Sequence, residues 1–424
     1  MKTSFLKFIA LTSASLALVM SCSRGGSSPG PQNGAATGGG SGSASGSGSG
    51  SASGSGSGSA SGSGSGSGSV IPNGRVNVTY WSLWGGNTSY PVFNGKTIQS
   101  IPMDLQDVDP SYNVIVVSFI IYTNNTYELS FKDPGSQGSS KYTPSKLKDM
   151  VATYHKNFPN HKVLVSVGGQ YFTPQLTTKD ENDKYAASVE GIINQYGFDG
   201  IDLDIEGGAM GNINADLFAQ ANQKIVNDNK NKGVDFWLTM APEWPYIIQY
   251  SYGGYAGPWY TDFIKQYGLS NITYIWPQTY NQGPANGVFC KDCNPSSTPK
   301  NKSDPADTGI AQFIADLAWA ACTPEGLAAN SKSSPPLIQV IPPAKFVLGI
   351  PAAEGAAGGD IASRYYVSPS DITKAWSTIK SNGFSISGFM NWAADWDNTP
   401  YSYDGYVHTP WETGQAIQST IGSN

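Results

Sequence analysis

Residues 197–208 read "GFDGIDLDIEGG". Asp199, Asp202, Asp204 and Glu206 crowd into this stretch of a chain in which charged residues amount to only 13%, against about a quarter in an average globular domain. From Gly200 onward, aliphatic and acidic residues alternate. Successive side chains on a strand point to opposite faces, so Ile201, Leu203 and Ile205 share one face while Asp202, Asp204 and Glu206 share the other. The apolar face calls for a covering of helices and the acidic face for a polar interior. A strand of this kind suits the wall of a parallel barrel, whose C-terminal mouth is where such folds place their chemistry.

Other runs rich in valine, isoleucine and aromatics support that wall: "VNVTYW" (76–81), "NVIVVSFII" (113–121), "KVLVSVGG" (162–169), "DFWLTMAP" (235–242), "ITYIWPQTY" (272–280), "KFVLGIPA" (345–352) and "ISGFMNW" (386–392). Between them lie segments that read as helices, among them 145–158, 183–197, 215–229 and 370–383, the last two with apolar residues at helical spacing. Eight strands alternating with helices predict an α/β fold, a single (β/α)8 barrel (TIM barrel) over residues 73–424. An open doubly wound sheet is the alternative, but no glycine-rich dinucleotide turn follows the first strand.

Three carboxylates on one interior face repel one another. They persist by sharing protons, which raises at least one pKa, or by binding a cation. Glu206, at the C-terminal end of the strand, is placed to act as a general acid. A magnesium or calcium site is the competing reading, but no second acid-rich strand end completes one, and neither a metal nor a cofactor is expected. Acids exposed on an edge strand would not alternate with Ile201, Leu203 and Ile205. Asp199 falls out of the alternation and is expected to be structural, bonding to the strand's start.

The rest of the chain limits its partners. With a formal net charge of −6 and no cluster of lysine or arginine, it is no match for a phosphate backbone, and nucleic acid is excluded as a partner. Lys2 and Lys7 precede an apolar run from Phe8 to Met20 that is too short to span a bilayer. The run ends in Ser21-Cys22, which resembles a lipoprotein signal: residues 1–21 are expected to be removed and Cys22 lipidated. Residues 22–72 form a linker dominated by glycine and serine, with a reach of roughly 35 to 40 Å. An ordinary secretory signal cut nearby is the alternative, and export follows on either reading, as an outer-membrane or cell-surface lipoprotein or as a secreted protein, with the lipid as the only membrane contact. Of the remaining cysteines, Cys290, Cys293 and Cys322, two can form one disulfide; the Cys290-Lys-Asp-Cys293 spacing reads as a loop pin rather than a metal knuckle.

"DGIDLDIE" (199–206) resembles the DxxDxDxE signature of glycoside hydrolase family 18, the chitinases and their relatives. "SVGG" (166–169), "LTMAPE" (238–243), "PQTYN" (277–281) and "GFMNWAADWD" (388–397) resemble the family's other strand ends in the same order. The resemblance spans residues 73–420. It implies hydrolysis of β-1,4 links between N-acetylglucosamine units with the substrate's own acetamido group as nucleophile, an exception to the usual two-carboxylate scheme. The implied roles are general acid for Glu206, orientation of the acetamido N–H for Asp204, proton sharing with Asp204 for Asp202, and donation to the acetamido carbonyl for Tyr280. Trp392 is implied as the floor under the sugar, with Gln278, Tyr80, Met240, Asn281, Trp84 and Trp244 as further substrate-binding residues; Trp81 is a weaker candidate of the same kind, and Trp237 and Trp376 are expected in the core. Only Ala353–Ser385 separate the seventh and eighth strands, too little for the subdomain that walls the cleft of processive members, so an endo-acting monomer on chitin or its oligomers is expected. An endo-β-N-acetylglucosaminidase acting on N-glycans, a non-catalytic lectin and a metal-dependent barrel hydrolase are the alternatives.

Overall fold

The eight strand runs form one parallel wall: β1 (Val76–Ser82), β2 (Val114–Thr123), β3 (Lys162–Gly168), β4 (Gly200–Asp204), β5 (Trp237–Met240), β6 (Tyr274–Ile275), β7 (Val347–Pro351) and β8 (Gly388–Trp392). In this computed structural model the described residues are 72–423, apart from 87–88, 93–95, 133–140, 249–258, 281–287, 292–301, 304, 332–335, 337, 358–364 and 404–405. Cys22, Cys293 and Asn281, with the boundaries at 21 and 72, therefore lie outside them or at their edge.

The sheet runs in the order β7-β8-β1-β2-β3-β4-β5-β6. Parallel bridges Ile275↔Phe346 and Gln278↔Gly349 join β6 to β7 and close the ring. Outside it lie α1 (Pro144–Asn157), α2 (Lys179–Tyr196), α3 (Ala215–Asn231), α4 (Trp259–Tyr267), α5 (Ile310–Cys322), α6 (Pro369–Ser381) and α7 (Glu412–Gly422). The fold is the (β/α)8 barrel that the sequence predicts.

Local chemistry sets where the chain turns. Thr178 caps α2 by accepting from the Glu181 amide while Glu181 bonds back, a reciprocal capping box. Gly197 ends that helix in the left-handed conformation, φ +78°, and delivers the chain to β4. Asp199 then accepts from the Val163 amide (2.7 Å) and contacts His155 Nε2 (2.8 Å). Its role is structural, but it secures the start of the neighbouring β3.

The alternation within each strand separates two apolar layers. Ile201, Leu203, Leu238, Met240, Val163 and Val165 face the helices, and Val78, Tyr80, Leu164, Trp276 and Met390 fill the barrel's interior. Burial of each large aliphatic side chain contributes about 1.5–3 kcal/mol, so a one-residue slip of any strand is strongly disfavoured. One strand breaks the rhythm. Between Val117 and Ile120 the pairing of β2 with β3 shifts, and the irregularity turns Phe119 inward and Ile120 outward.

Three further features differ from the sequence reading. The ladder of β6 is short, because Pro277 cannot donate to a neighbour. A strand at Thr126–Leu129 returns antiparallel along β2. Glu206 lies just beyond the last paired residue of β4, in extended conformation at the entrance to a 3-10 turn over Gly207–Asn212. Between β7 and β8 the described residues hold only a 3-10 turn, Glu354–Ala357, and α6.

Candidate active site

Asp202, Asp204 and Glu206 project into the barrel at successive depths. Asp202 is completely buried and accepts from hydroxyls on the two flanking strands and on β1 across the barrel: Tyr80 (2.6 Å) and Ser166 (2.8 Å) at Oδ2, and Thr239 (2.8 Å) at Oδ1. Burial raises its pKa, and these hydrogen bonds oppose the rise by stabilising the anion. Trp276 Nε1 donates to the Tyr80 hydroxyl at 3.3 Å, so the donor is itself held.

One strand position above, Asp204 lies beside Glu206, the two joined through Gln278. Burial and the charges of Glu206, Asp202 and Glu243 push Asp204 well above the ordinary carboxylate range. Burial also raises Glu206, while bonds from Gln278 and Asp204 moderate the rise. Gln278 Nε2 bridges the pair, 2.8 Å from Asp204 Oδ1 and 3.2 Å from Glu206 Oε1, and also donates to the Ala241 carbonyl at 3.2 Å. Two carboxyls held this close on one amide nitrogen cannot both be anions at moderate cost, so they titrate as a pair with a proton shared between them.

Glycines let the neighbouring backbone come close enough to shape this site. At Gly168, φ +134°, a Cβ would meet the Asp204 carbonyl at 1.9 Å. At Gly169, φ +82°, it would meet the Phe119 ring at 2.7 Å, and the Gly169 amide donates to the Asp204 carbonyl at 2.8 Å. The "SVGG" stretch thus supplies the Ser166 hydroxyl to Asp202 and a side-chain-free approach to Asp204.

An aromatic floor adjoins the acids. Trp392 is half-buried and stacks on Phe119, with centroids 5.9 Å apart and planes at 14°. Half-buried Trp84 also packs on Phe119, with centroids 6.2 Å apart. Tyr280 is buried, and its hydroxyl has no hydrogen-bond partner among the described residues; burial and the charges of Asp204, Glu206 and Asp202 push its pKa well up. It is a donor ready for an acceptor from outside the protein.

Four expected contacts are corrected. Met240 faces the helices with no exposure, because it alternates with Thr239, whose hydroxyl takes the inward direction. Trp244 starts a short helix, Trp244–Ile248, and is buried in the outer layer. Trp81 likewise points outward, its Nε1 donating to the Met103 carbonyl at 3.2 Å. Tyr80 does point inward, but it is buried with its hydroxyl on Asp202, so it positions that acid instead of touching a ligand. Trp376 is in the core and Trp237 packs half-buried in the barrel's interior layer, as expected.

The sequence reading missed Glu243 and Phe119. Glu243 accepts from the Gly207 amide at 2.9 Å and is pushed up to about 7 by burial and the charge of Glu206. Its signal was present as the last letter of "LTMAPE". Phe119 had no usable signal, since the β2 irregularity reverses its expected face. Among the described residues no group of histidine, cysteine and acidic side chains is arranged to hold a metal ion. Cys290 is disulfide-bonded and Cys322 is a buried free thiol.

A wall of eight parallel strands with a buried aspartate, an acid pair bridged by Gln278 and a tryptophan floor at its mouth defines a class, and sequence comparison agrees. Residues 76–423 match the family model "Glycosyl hydrolases family 18", and the chain belongs to that family. A chitinase of Enterococcus faecalis is 31% identical over 330 residues, covering 77% of this chain and 83% of the relative. Chitinase Chi52 of Paenibacillus xylanexedens is 28% identical over 348 residues; the match covers 74% of this chain but only 60% of that longer protein. In fold, the chain resembles a family 18 chitinase from Chromobacterium violaceum, with a TM-score of 0.57, 22% identity, and coverage of 84% and 86% of the two chains.

Proposed function

We propose that this protein is a chitinase that hydrolyses β-1,4 links between N-acetylglucosamine units, with the substrate's acetamido group as nucleophile. The observation that carries the reading is the closeness of Asp204 and Glu206, which both accept from Gln278 Nε2, at 2.8 and 3.2 Å. A conventional retaining pair has its carboxyls about 5–5.5 Å apart on opposite sides of the scissile bond. Carboxyls side by side on one strand and tied to one amide nitrogen do not flank a bond in that way, so the nucleophile comes from elsewhere.

In the cycle that follows, the acetamido N–H of the bound sugar donates to Asp204 and stabilises its anion. The shared proton is then left on Glu206, so substrate binding itself loads the acid. Glu206 passes that proton to the glycosidic oxygen as the C1–O bond breaks, and the acetamido carbonyl oxygen bonds to C1 to form an oxazolinium ion. Asp204 balances the positive charge, and the free Tyr280 hydroxyl meets the carbonyl oxygen. Water then attacks C1, Glu206 recovers a proton from it, and the oxazolinium opens. Asp202, fixed by its three hydroxyls, keeps a negative charge below Asp204. Trp392 supports the sugar ring.

The short segment between β7 and β8 supports an open groove and cleavage within chains. Gln278 and Asn281 remain proposed as substrate contacts, Gln278 by exchanging its carboxyl bonds for the ligand, and Trp84 as an outer wall. Export and attachment through Cys22 are part of the same proposal, with a monomer acting on chitin oligomers.

Glu206→Gln tests the acid. It keeps the shape and the bond to Gln278 but cannot deliver a proton, so turnover of N-acetylglucosamine oligomers should fall about 10² to 10⁴-fold while binding persists. Near wild-type turnover would remove Glu206 from its role. Release of glycans from glycoproteins in preference to cleavage of oligomers would reassign the substrate.

A further inference from the structure

Beyond β5 the chain places a fourth carboxyl against the acid pair. Glu243 Oε2 accepts from the backbone amide of Gly207 at 2.9 Å, one residue after Glu206. The same segment grips the residue that bridges the pair: Glu243 forms a parallel bridge with Gln278, the Gln278 amide donates to the Pro242 carbonyl at 2.9 Å, and the Trp244 amide donates to the Gln278 carbonyl at 3.2 Å. Glu206 has no regular ladder of its own at this height, since β4 ends at Asp204. Its backbone is held instead through its successor.

We infer that Glu243 is a positioning residue for the general acid: its carboxyl fastens the chain next to Glu206 through the Gly207 amide, and its segment holds Gln278 against the acid pair. The inference rests on the reading of Glu206 as the acid.

The electrostatic setting favours this role. Around Glu206 stand Asp204 on its own strand, Glu243 after β5 and Tyr280 after β6, with Asp202 and the buried hydroxyls of Tyr80 on β1 and Tyr260 on α4 behind them. Among the described residues no lysine, arginine or histidine forms an ion pair with any of these acids. Every charged neighbour is therefore an acid. Burial and the charge of Glu206 hold Glu243 up to about 7, so the two acids respond to each other across the Gly207 attachment. The amide bond from Gly207 works in the other direction on Glu243 and keeps a fraction of it anionic near neutrality.

Glu243→Gln and Glu243→Ala separate charge from attachment. Glutamine retains an acceptor for the Gly207 amide but no charge; alanine has neither. The readout is kcat and KM on an N-acetylglucosamine oligomer at the plateau of the pH profile, with thermal melts to check folding. The alanine variant should lose about tenfold in kcat with KM little changed, a loss that glutamine restores because it keeps an acceptor for the Gly207 amide. An alanine plateau equal to that of the wild type overturns the inference, as does a glutamine plateau as low as that of alanine. Glu206→Gln, assayed alongside, keeps the two ideas apart: if it is inactive while the two Glu243 variants are alike, only the present inference fails, and if it turns over normally, the acid assignment fails and takes this inference with it.

Discussion

Asp204 receives unfavourable charge from three directions, Glu206, Asp202 and Glu243, and is buried as well. A carboxyl whose folded pKa is raised stabilises the fold fully at pH below its unfolded value, near 4, and that stabilisation is lost as pH rises through the folded value. Asp204→Asn removes the penalty while leaving an oxygen for Gln278. Its melting temperature should match that of the wild type near pH 4 and exceed it by roughly 2 °C or more at pH 8. A gain of equal size at both pH values would contradict the charge account. The acids of β4 were legible in the sequence because alternation with Ile201, Leu203 and Ile205 states their face. Glu243 stood in "LTMAPE" with the inward parity of Thr239 and Ala241, but as a single acid with no acidic neighbour on its strand it was passed over. Met240 was misplaced for a related reason: motif resemblance names a residue, but the direction of its side chain depends on counting from Thr239.

At the scale of elements, the close passage of β3 beside β4 decides the site's shape. Gly168→Ala would place a Cβ 1.9 Å from the Asp204 carbonyl at a backbone angle that L residues avoid, so β3 must shift away from the acid strand. The expected cost is about 2 kcal/mol or more in stability, with loss of most activity. Gly191 on α2 is the control: it is exposed in a helix interior, and an added Cβ meets nothing within 4 Å. Gly191→Ala should stabilise by about 0.5–1 kcal/mol without changing turnover. Thermal melts of both variants check the pair, and a neutral Gly168→Ala would refute the close-passage argument. The strands themselves were readable from their apolar runs, and so was the body of α2, read as 183–197; its first turn, which Thr178 caps, was missed because Lys179–Asn182 are all polar. The inward turn of Phe119 was hidden, since an irregularity of one residue reverses every face after it and leaves no mark on composition.

Across the whole molecule, the barrel begins at Val76, well after Cys22 and the glycine-serine stretch that follows it. If Cys22 carries lipid, Cys22→Ser should transfer the enzyme from the membrane to the soluble fraction with unchanged specific activity; a soluble wild-type protein would contradict the anchor. The eightfold alternation made the barrel legible at this scale. The long excursion from β6 to β7, which carries α5 and the helix Pro324–Asn330, was not, because its segments lack the strand signal that organised the rest. The account's central claim is that the substrate supplies the nucleophile. Attack by the acetamido oxygen and then by water inverts C1 twice. Resolving the anomers formed in the first moments of hydrolysis of an N-acetylglucosamine oligomer tests this most directly: the account predicts that the new reducing end appears as the β-anomer and that an analogue with hydroxyl in place of acetamido is hardly cleaved, whereas initial α-anomer, or equal cleavage of the analogue, would contradict it.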